Sequence, residues 1–451
     1  MRQFKNGRNP VLPPDVHIPD GEGHVMPDGK LYIYGSFDDT EDEYCSDKYY
    51  VVSTADMENW VIHEEALTGG MIPWINDPDA PKYPGIDLTH PTPFMKRILE
   101  ETSCRNDGVE KEEKPAEEEP VFLYAPDCIY KDGTYYLYFC ASDDSEGVAV
   151  SDRPEGPFGD PVQLPCGGID PAVFIDDDGQ AYYYWGQLFS HGVRLNKDMM
   201  SFDQENIVDH LVTEERHFFH EGSSMRKIKD TYYYVYADME RGKPTSLGYA
   251  TGRSPLGPFE YQGIIIDNDG CDPESWNNHG SIECMNGQWY VFYHRSSRGC
   301  RQYRRLCIEP ITINPDGTID EVEMTSQGAG KPFGSGETIM GYQACGLKGT
   351  VYIGAEENPG AGYCEKLTHI SDGDEAVFRY VKSEEEYNSI WILSEGSGLI
   401  EVLLGGKTAG LVTVTDGVQQ NSEIKMAAGE YELTLRFRNT KGLQIKEIVI
   451  N

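Results

Sequence analysis

Five copies of one nine-residue pattern, a repeat length near 50 and a turn-rich, helix-poor composition predict an all-β protein: a five-bladed β-propeller followed by a β-sandwich. The pattern is a tight turn and then an alternating aromatic strand. Its copies are Asp28–Ser36 (DGKLYIYGS), Asp132–Cys140 (DGTYYLYFC), Asp178–Gly186 (DGQAYYYWG), Lys229–Ala237 (KDTYYYVYA) and Asn286–His294 (NGQWYVFYH). The second turn residues fall at 29, 133, 179, 230 and 287, with spacings of 104, 46, 51 and 57. Four of these five are Gly, which a two-residue hairpin favours because it needs positive φ. The 29 Tyr, 48 Gly and 27 Pro also suit strands and turns.

A second element trails three copies, at Ser53–His63, Ser151–Pro161 and Thr251–Gly263. Each reads as a strand end, a turn and an aromatic outer strand. The long first interval contains Glu100–Pro120 with the run EKEEKPAEEEP, which predicts a solvated, mobile insertion between blades. The propeller should close near Pro315–Thr318, giving a first domain over 1–324. The Gly- and Ser-containing TSQGAGKPFGS predicts a linker over 325–336, and short strands with Gly turns over 337–451 predict the sandwich.

Composition excludes several classes of function. Asp plus Glu total 76 against 38 for Lys plus Arg, a formal charge of −38 that repels phosphate backbones and argues against nucleic acid as a partner. No run of about 18 apolar residues exists to span a membrane as a helix. The start, MRQFKNGRNP, lacks the apolar stretch of a signal peptide, so the expectation is a cytoplasmic protein or a trimmed secreted form. Eleven cysteines without a CxxC pair fit reduced thiols.

An ionisable residue precedes each repeat. Asp20, Asp170 and Glu221 each stand nine residues before the second turn residue; His279 stands eight before and Asp127 six before. If each opens the innermost strand of its blade, all five converge on one mouth of the central channel. Clustered carboxylates push one another's pKa values apart, and glycoside hydrolysis is the chemistry that uses this. One carboxylic acid protonates the leaving oxygen while the other carboxylate activates water or attacks the sugar. Trp74, Phe219, Trp185 and Trp276 are candidates to face the apolar CH side of a sugar.

The motifs HIPDGEGHVMPDGKLYIYGS, LYAPDCIYKDGTYYLYF, GVAVSDRPEGPF, IDPAVFIDDDGQAYYYWG, GYATGRSPLGPF, NNHGSIECMNGQWYVFYHR and CIEPITINPDGTIDEVEMTS resemble, in this order, glycoside hydrolase family 43 over about Asn9–Ser326. This is the family of five-bladed propeller α-L-arabinofuranosidases and β-xylosidases. The resemblance implies Asp20 as general base, Asp170 as the aspartate that tunes the acid, and Glu221 as general acid. It implies His279 beside a central calcium position, and Arg304 on the sugar of the first subsite. Trp74, Asp127 and Phe219 complete the expected substrate contacts. Two departures stand out: Gly21 follows the base where proline is common, and the acid sits in HEGSS rather than EGP or EAP. The tail resembles, more weakly, a family 6 carbohydrate-binding jelly roll, with Trp391 its one tryptophan.

The expected function is therefore an exo-acting, inverting glycosidase that releases terminal arabinofuranose or xylose from plant cell-wall oligosaccharides. No cofactor is expected for the chemistry, with calcium at most structural. A fructan-type retaining hydrolase would carry NDPNG and RDP motifs, which are absent. A galactan-active glycosidase would use the same architecture. A non-catalytic propeller that only binds glycans would be expected to lose the carboxylates, yet all three are present.

Overall fold

The computed structural model describes residues 1–75, 77–83, 85, 96–97, 121–358, 362–415 and 420–451. The acidic insertion expected at 100–120 lies outside the described residues. Five separate antiparallel sheets follow one another and form the five blades. Blade 1 runs outward from Glu22–Val25 through Leu31–Gly35 and Lys48–Thr54 to Asn59–Thr68, with Arg2–Lys5 added at its edge. Blades 2, 3 and 4 open with Leu123–Lys131, Ala172–Ile175 and Phe219–Ile228. Blade 5 has three strands, Ser281–Met285, Gln288–Arg295 and Arg305–Ile311.

The repeated turns behave as their residues require. Asp132–Gly133 and Asn286–Gly287 both place two successive residues at positive φ, the hairpin geometry that keeps the right-handed strand twist. The repeated tyrosines fill the spaces between blades, and their hydroxyls find carbonyls there. Tyr34 donates to Pro154 O at 2.7 Å and Tyr184 to Pro255 O at 2.9 Å, so equivalent tyrosines bond equivalent outer turns. A phenylalanine would leave those buried carbonyls unpaired, which explains Tyr in the repeat.

Ring closure uses the N-terminal segment. Asn9 donates to Ile308 O at 3.0 Å and accepts from Ile308 N at 2.9 Å, while Val11 N–H donates to Leu306 O. A parallel bridge between Gly21 and Gly280 joins the inner strands of blades 1 and 5. Beyond the propeller, a sheet-rich region carries two long strands, Tyr387–Leu404 and Gly429–Ile450, around one apolar core that includes Phe378, Ile400 and Phe437, and it fits a β-sandwich. The segment between the two is packed: Thr325 Oγ1 donates to Glu309 at 2.7 Å and Ser326 N–H to Arg379 O at 2.8 Å.

Candidate active site

Residues at the start of each inner strand meet in one cavity of about 260 Å3, lined by Asp20, Tyr124, Asp170, Glu221 and His279 with Tyr44, Gln187, Trp276 and Arg304 among the rest. Four of these five are the ones expected from the repeat. The fifth is Tyr124, not Asp127. Tyr124 is nine residues before Gly133, the register of the other blades, whereas Asp127 is three residues further along the strand. Asp127 therefore lies deeper in the channel, where its Oδ1 meets His24 Nε2 at 2.7 Å and its Oδ2 accepts from Val173 N–H at 2.7 Å. The structure does not bring Asp127 to the sugar pocket.

Two further expectations move. Trp74 packs on Phe139 at 5.9 Å and donates Nε1–H to Ser145 Oγ, and Phe219 is buried edge-on against Tyr236. Neither lines the cavity, because both, Trp74 from a turn and Phe219 from its strand, are packed into the apolar spaces between blades. Trp185 does the same against Tyr183 and His191. The aromatic faces left to the pocket are Trp276, Tyr44 and Tyr124.

Asp20 is held from four sides. Arg304 Nη1 donates to Oδ1 at 2.8 Å, Ser36 Oγ–H donates to Oδ2 at 2.7 Å, His294 Nδ1 lies 3.4 Å from Oδ1, and His279 Nδ1 lies 3.8 Å away. Burial raises its pKa, but Arg304 and the two histidines outweigh burial and hold the carboxyl well below the usual range. Arg304 is not free to roam. Its Nε and Nη2 donate to Asp38 Oδ2 and Oδ1 at 3.0 and 2.9 Å, and its own backbone N–H donates to Oδ2 at 3.0 Å. Asp38, 1% exposed, is thus the fixed anchor of a chain from Asp38 through Arg304 to Asp20.

Glu221 sits at a bulge, where the pairing shifts between Phe219 and Ser224. Gly222 makes this possible: its φ is +78°, and a Cβ there would come within 2.9 Å of the His279 ring. That accounts for Gly rather than Ala directly after the acid. Gln187 Nε2 donates to Glu221 Oε2 at 2.7 Å and Asn277 Nδ2 to Oε1 at 3.3 Å, with His220 Nε2 at 3.6 Å. Burial opposes ionisation of Glu221, but His220 and the two amide donors together lower its pKa. Asp170, buried beside Glu221 and Asp20, is pushed well above the usual carboxylate range by burial first and then by their charges. The surroundings of the two carboxyls thus push their pKa values apart, Asp170 upward and Glu221 downward. Asp20 and Asp170 also share a left-handed backbone, with φ of 58° and 59°, a conformation that Asp tolerates and that is found at functional sites.

His279 Nδ1 stands 3.8 and 3.7 Å from Asp20 Oδ1 and Asp170 Oδ2. It offers an axial calcium one nitrogen. Calcium takes six to eight oxygen ligands, so an ion there would be held mostly through water.

Sequence reasoning missed Ser36, Asp38, Gln187, Asn277 and His294. A usable signal existed for two of them. Ser36 and His294 are the last residues of their nine-residue repeats, which an antiparallel hairpin folds back beside the start of an inner strand. Cys140, at the same place in blade 2, receives Asp170 N–H at 3.3 Å.

A family model described as glycosyl hydrolases family 43 matches residues 99–319. A xylosidase/arabinosidase of Bacteroides ovatus is 30% identical over 368 residues, covering 69% of this chain and 97% of that one. Among solved structures, a β-xylosidase/α-arabinofuranosidase from a compost microbial metagenome, in complex with xylotriose, is 29% identical with a TM-score of 0.53. It covers 71% of this chain and 99% of that chain. An arabinoxylan arabinofuranohydrolase of Bacillus subtilis shares the fold over 99% of this chain and 97% of its own, with a TM-score of 0.53 and 22% identity.

Proposed function

The chain belongs to glycosyl hydrolase family 43, and from that premise we propose that it removes single terminal arabinofuranose or xylose units from short oligosaccharides with inversion at the anomeric carbon. The observation that carries this reading is the cavity itself. At about 260 Å3 it is smaller than the roughly 300–1,000 Å3 of sites that take drug-sized ligands, so it suits one sugar ring rather than a chain. Three carboxylates face that ring from blades 1, 3 and 4. The pentose assignment draws support from the xylosidase and arabinosidase relatives.

Asp20 is ionised and takes a proton from the attacking water, and Ser36 and Arg304 keep its two oxygens aimed. Glu221 gives a proton to the departing oxygen. It must carry that proton first, and the substrate decides when. A leaving group that draws the Gln187 and Asn277 amides away removes two of the groups that hold Glu221 ionised and so raises its affinity for the proton it must give. Hydrolysis of an acetal needs only water and proton transfers, so side chains suffice and no cofactor takes part.

The deciding experiment is turnover of nitrophenyl α-L-arabinofuranoside, β-D-xyloside and β-D-galactoside, with xylo- and arabino-oligosaccharides alongside. Release of a single pentose from a chain end supports the reading. Turnover of the galactoside alone would move the specificity elsewhere, and no turnover of any substrate would end the proposal.

A further inference from the structure

One buried carboxylate beside the segments that lead to the proposed base comes from the sheet-rich region beyond the propeller. Glu365, on the sandwich strand Gly362–Thr368, has a side-chain exposure of 0%. Its Oε2 accepts from Arg305 Nη1, and Arg305 Nη2 donates to Leu12 O at 2.7 Å. Its Oε1 faces His17 Nε2 at 4.0 Å, and neither of those two atoms has a hydrogen-bond partner among the described residues.

Both neighbours of Glu365 lead to the proposed base. Arg305 directly follows Arg304. His17 lies three residues before Asp20, and its carbonyl accepts Asp38 N–H at 3.0 Å. One carboxylate from the sandwich thus stands between the two propeller segments that carry Asp20 and the arginine holding it. The loop 296–304 leans on the same domain at other points. Arg298 N–H donates to Ile353 O at 2.8 Å, and the Arg298 guanidinium stacks on Tyr303 at 3.7 Å and Tyr363 at 5.2 Å. Gly299, at φ +65°, lets Tyr352 approach so closely that a Cβ would meet it at 3.1 Å. The middle of this loop covers one wall of the pocket, where Arg301 lies 4.1 Å over the Trp276 ring.

We infer that Glu365 is a positioning residue for the catalytic base: the sandwich supplies the charge that fixes the Asp20 and Arg304 segments against each other, and both domains together form the catalytic unit. This rests on the reading of Asp20 as base. Arg305 is 1% exposed, and a buried cation stripped of its partner must move or draw in water. That movement strains the adjoining Arg304, which is tied to Asp38 and Asp20 at once, and displacement of a catalytic group by about 1 Å can cost on the order of 100-fold in rate.

The test uses the full chain and whichever nitrophenyl pentoside the wild type hydrolyses. Glu365→Gln should lower kcat by about 10- to 100-fold with KM within about threefold, by the same positioning argument. A merely structural contact would lower the melting temperature and leave both kcat and KM of the folded variant in place. The double variant Glu365→Leu/Arg305→Leu replaces the buried pair by apolar groups that a core tolerates, so it tests the same point should the single variant not fold. Wild-type kcat in either folded variant would overturn the inference. Absence of turnover by the wild type would instead remove the reading of the site beneath it.

Discussion

Replacing Gln187 by methionine keeps the length of the side chain and deletes the amide that holds Glu221 ionised. The lost bond is short, 2.7 Å from Nε2 to Oε2, and its acceptor is charged. Hydrogen bonds of that kind contribute about 1.5–3 kcal/mol. At about 1.36 kcal/mol per pKa unit the full effect is about 1–2 units. Water entering the pocket returns part of this, and Asn277 still donates to Oε1, so the net shift should be near one unit. The sign is upward, since the deleted group stabilises the charged form. The alkaline limb of kcat/KM reports loss of the proton that the Asp170–Glu221 pair carries. It should therefore move to higher pH in Gln187→Met, by at most that one unit, because Asp170 carries part of the pair's proton. The assay is a pH profile on an oligosaccharide with a poor leaving group, where protonation is needed, run beside the nitrophenyl glycoside, where the limb should matter less. A limb that stays in place, or moves to lower pH, would refute the argument that the amides set the protonation of Glu221.

Glu221→Gln should lose about 10²–10⁴-fold on oligosaccharides and much less on nitrophenyl glycosides, whereas Asp20→Asn should fail on both; equal, mild losses would mean that the roles are misassigned. Proton NMR of early hydrolysis should show the product anomer opposite to the substrate, and methyl glycoside formed in added methanol would make Asp20 a nucleophile instead. Glu146 is fully buried, bonded to Tyr183 with its other oxygen unpartnered among the described residues, and burial pushes its pKa up to about 8. An acid whose folded pKa is raised binds its proton more tightly when folded, so this group costs stability progressively as pH rises from about 4.5 to about 8, and the cost is constant above that. Glu146→Gln should therefore match or exceed the wild-type melting temperature at pH 8.5 and lose that advantage at pH 5; a lower melting temperature at both would contradict it.

Much of the candidate site was legible because a propeller turns sequence offset into position. Once the hairpin turns are aligned, a residue nine places upstream opens the inner strand, and Asp20, Asp170 and Glu221 share that offset. His279 at eight still reaches the cavity. The rule misleads only where it is relaxed: Asp127 at six is not equivalent, and three residues of rise carry it down the channel, leaving its place to Tyr124. Trp74 and Phe219 had no offset to support them. An aromatic side chain carries no mark of whether it faces a ligand or the next blade, and here both face the fold.

The sequence alone determined the architecture and the three carboxylates, since repeats, turns and strand alternation are local signals that add up along the chain. What only the tertiary structure decided is how those carboxylates are charged and aimed. Asp38 reaches Asp20 through Arg304, 266 residues away in the chain from Asp38. Gln187 and Asn277 arrive from different blades to bond the two oxygens of Glu221. Glu365 comes from another domain. Such contacts join loops whose separation in sequence has no period, and a pKa depends on charges within a few ångströms, whatever their place in the chain.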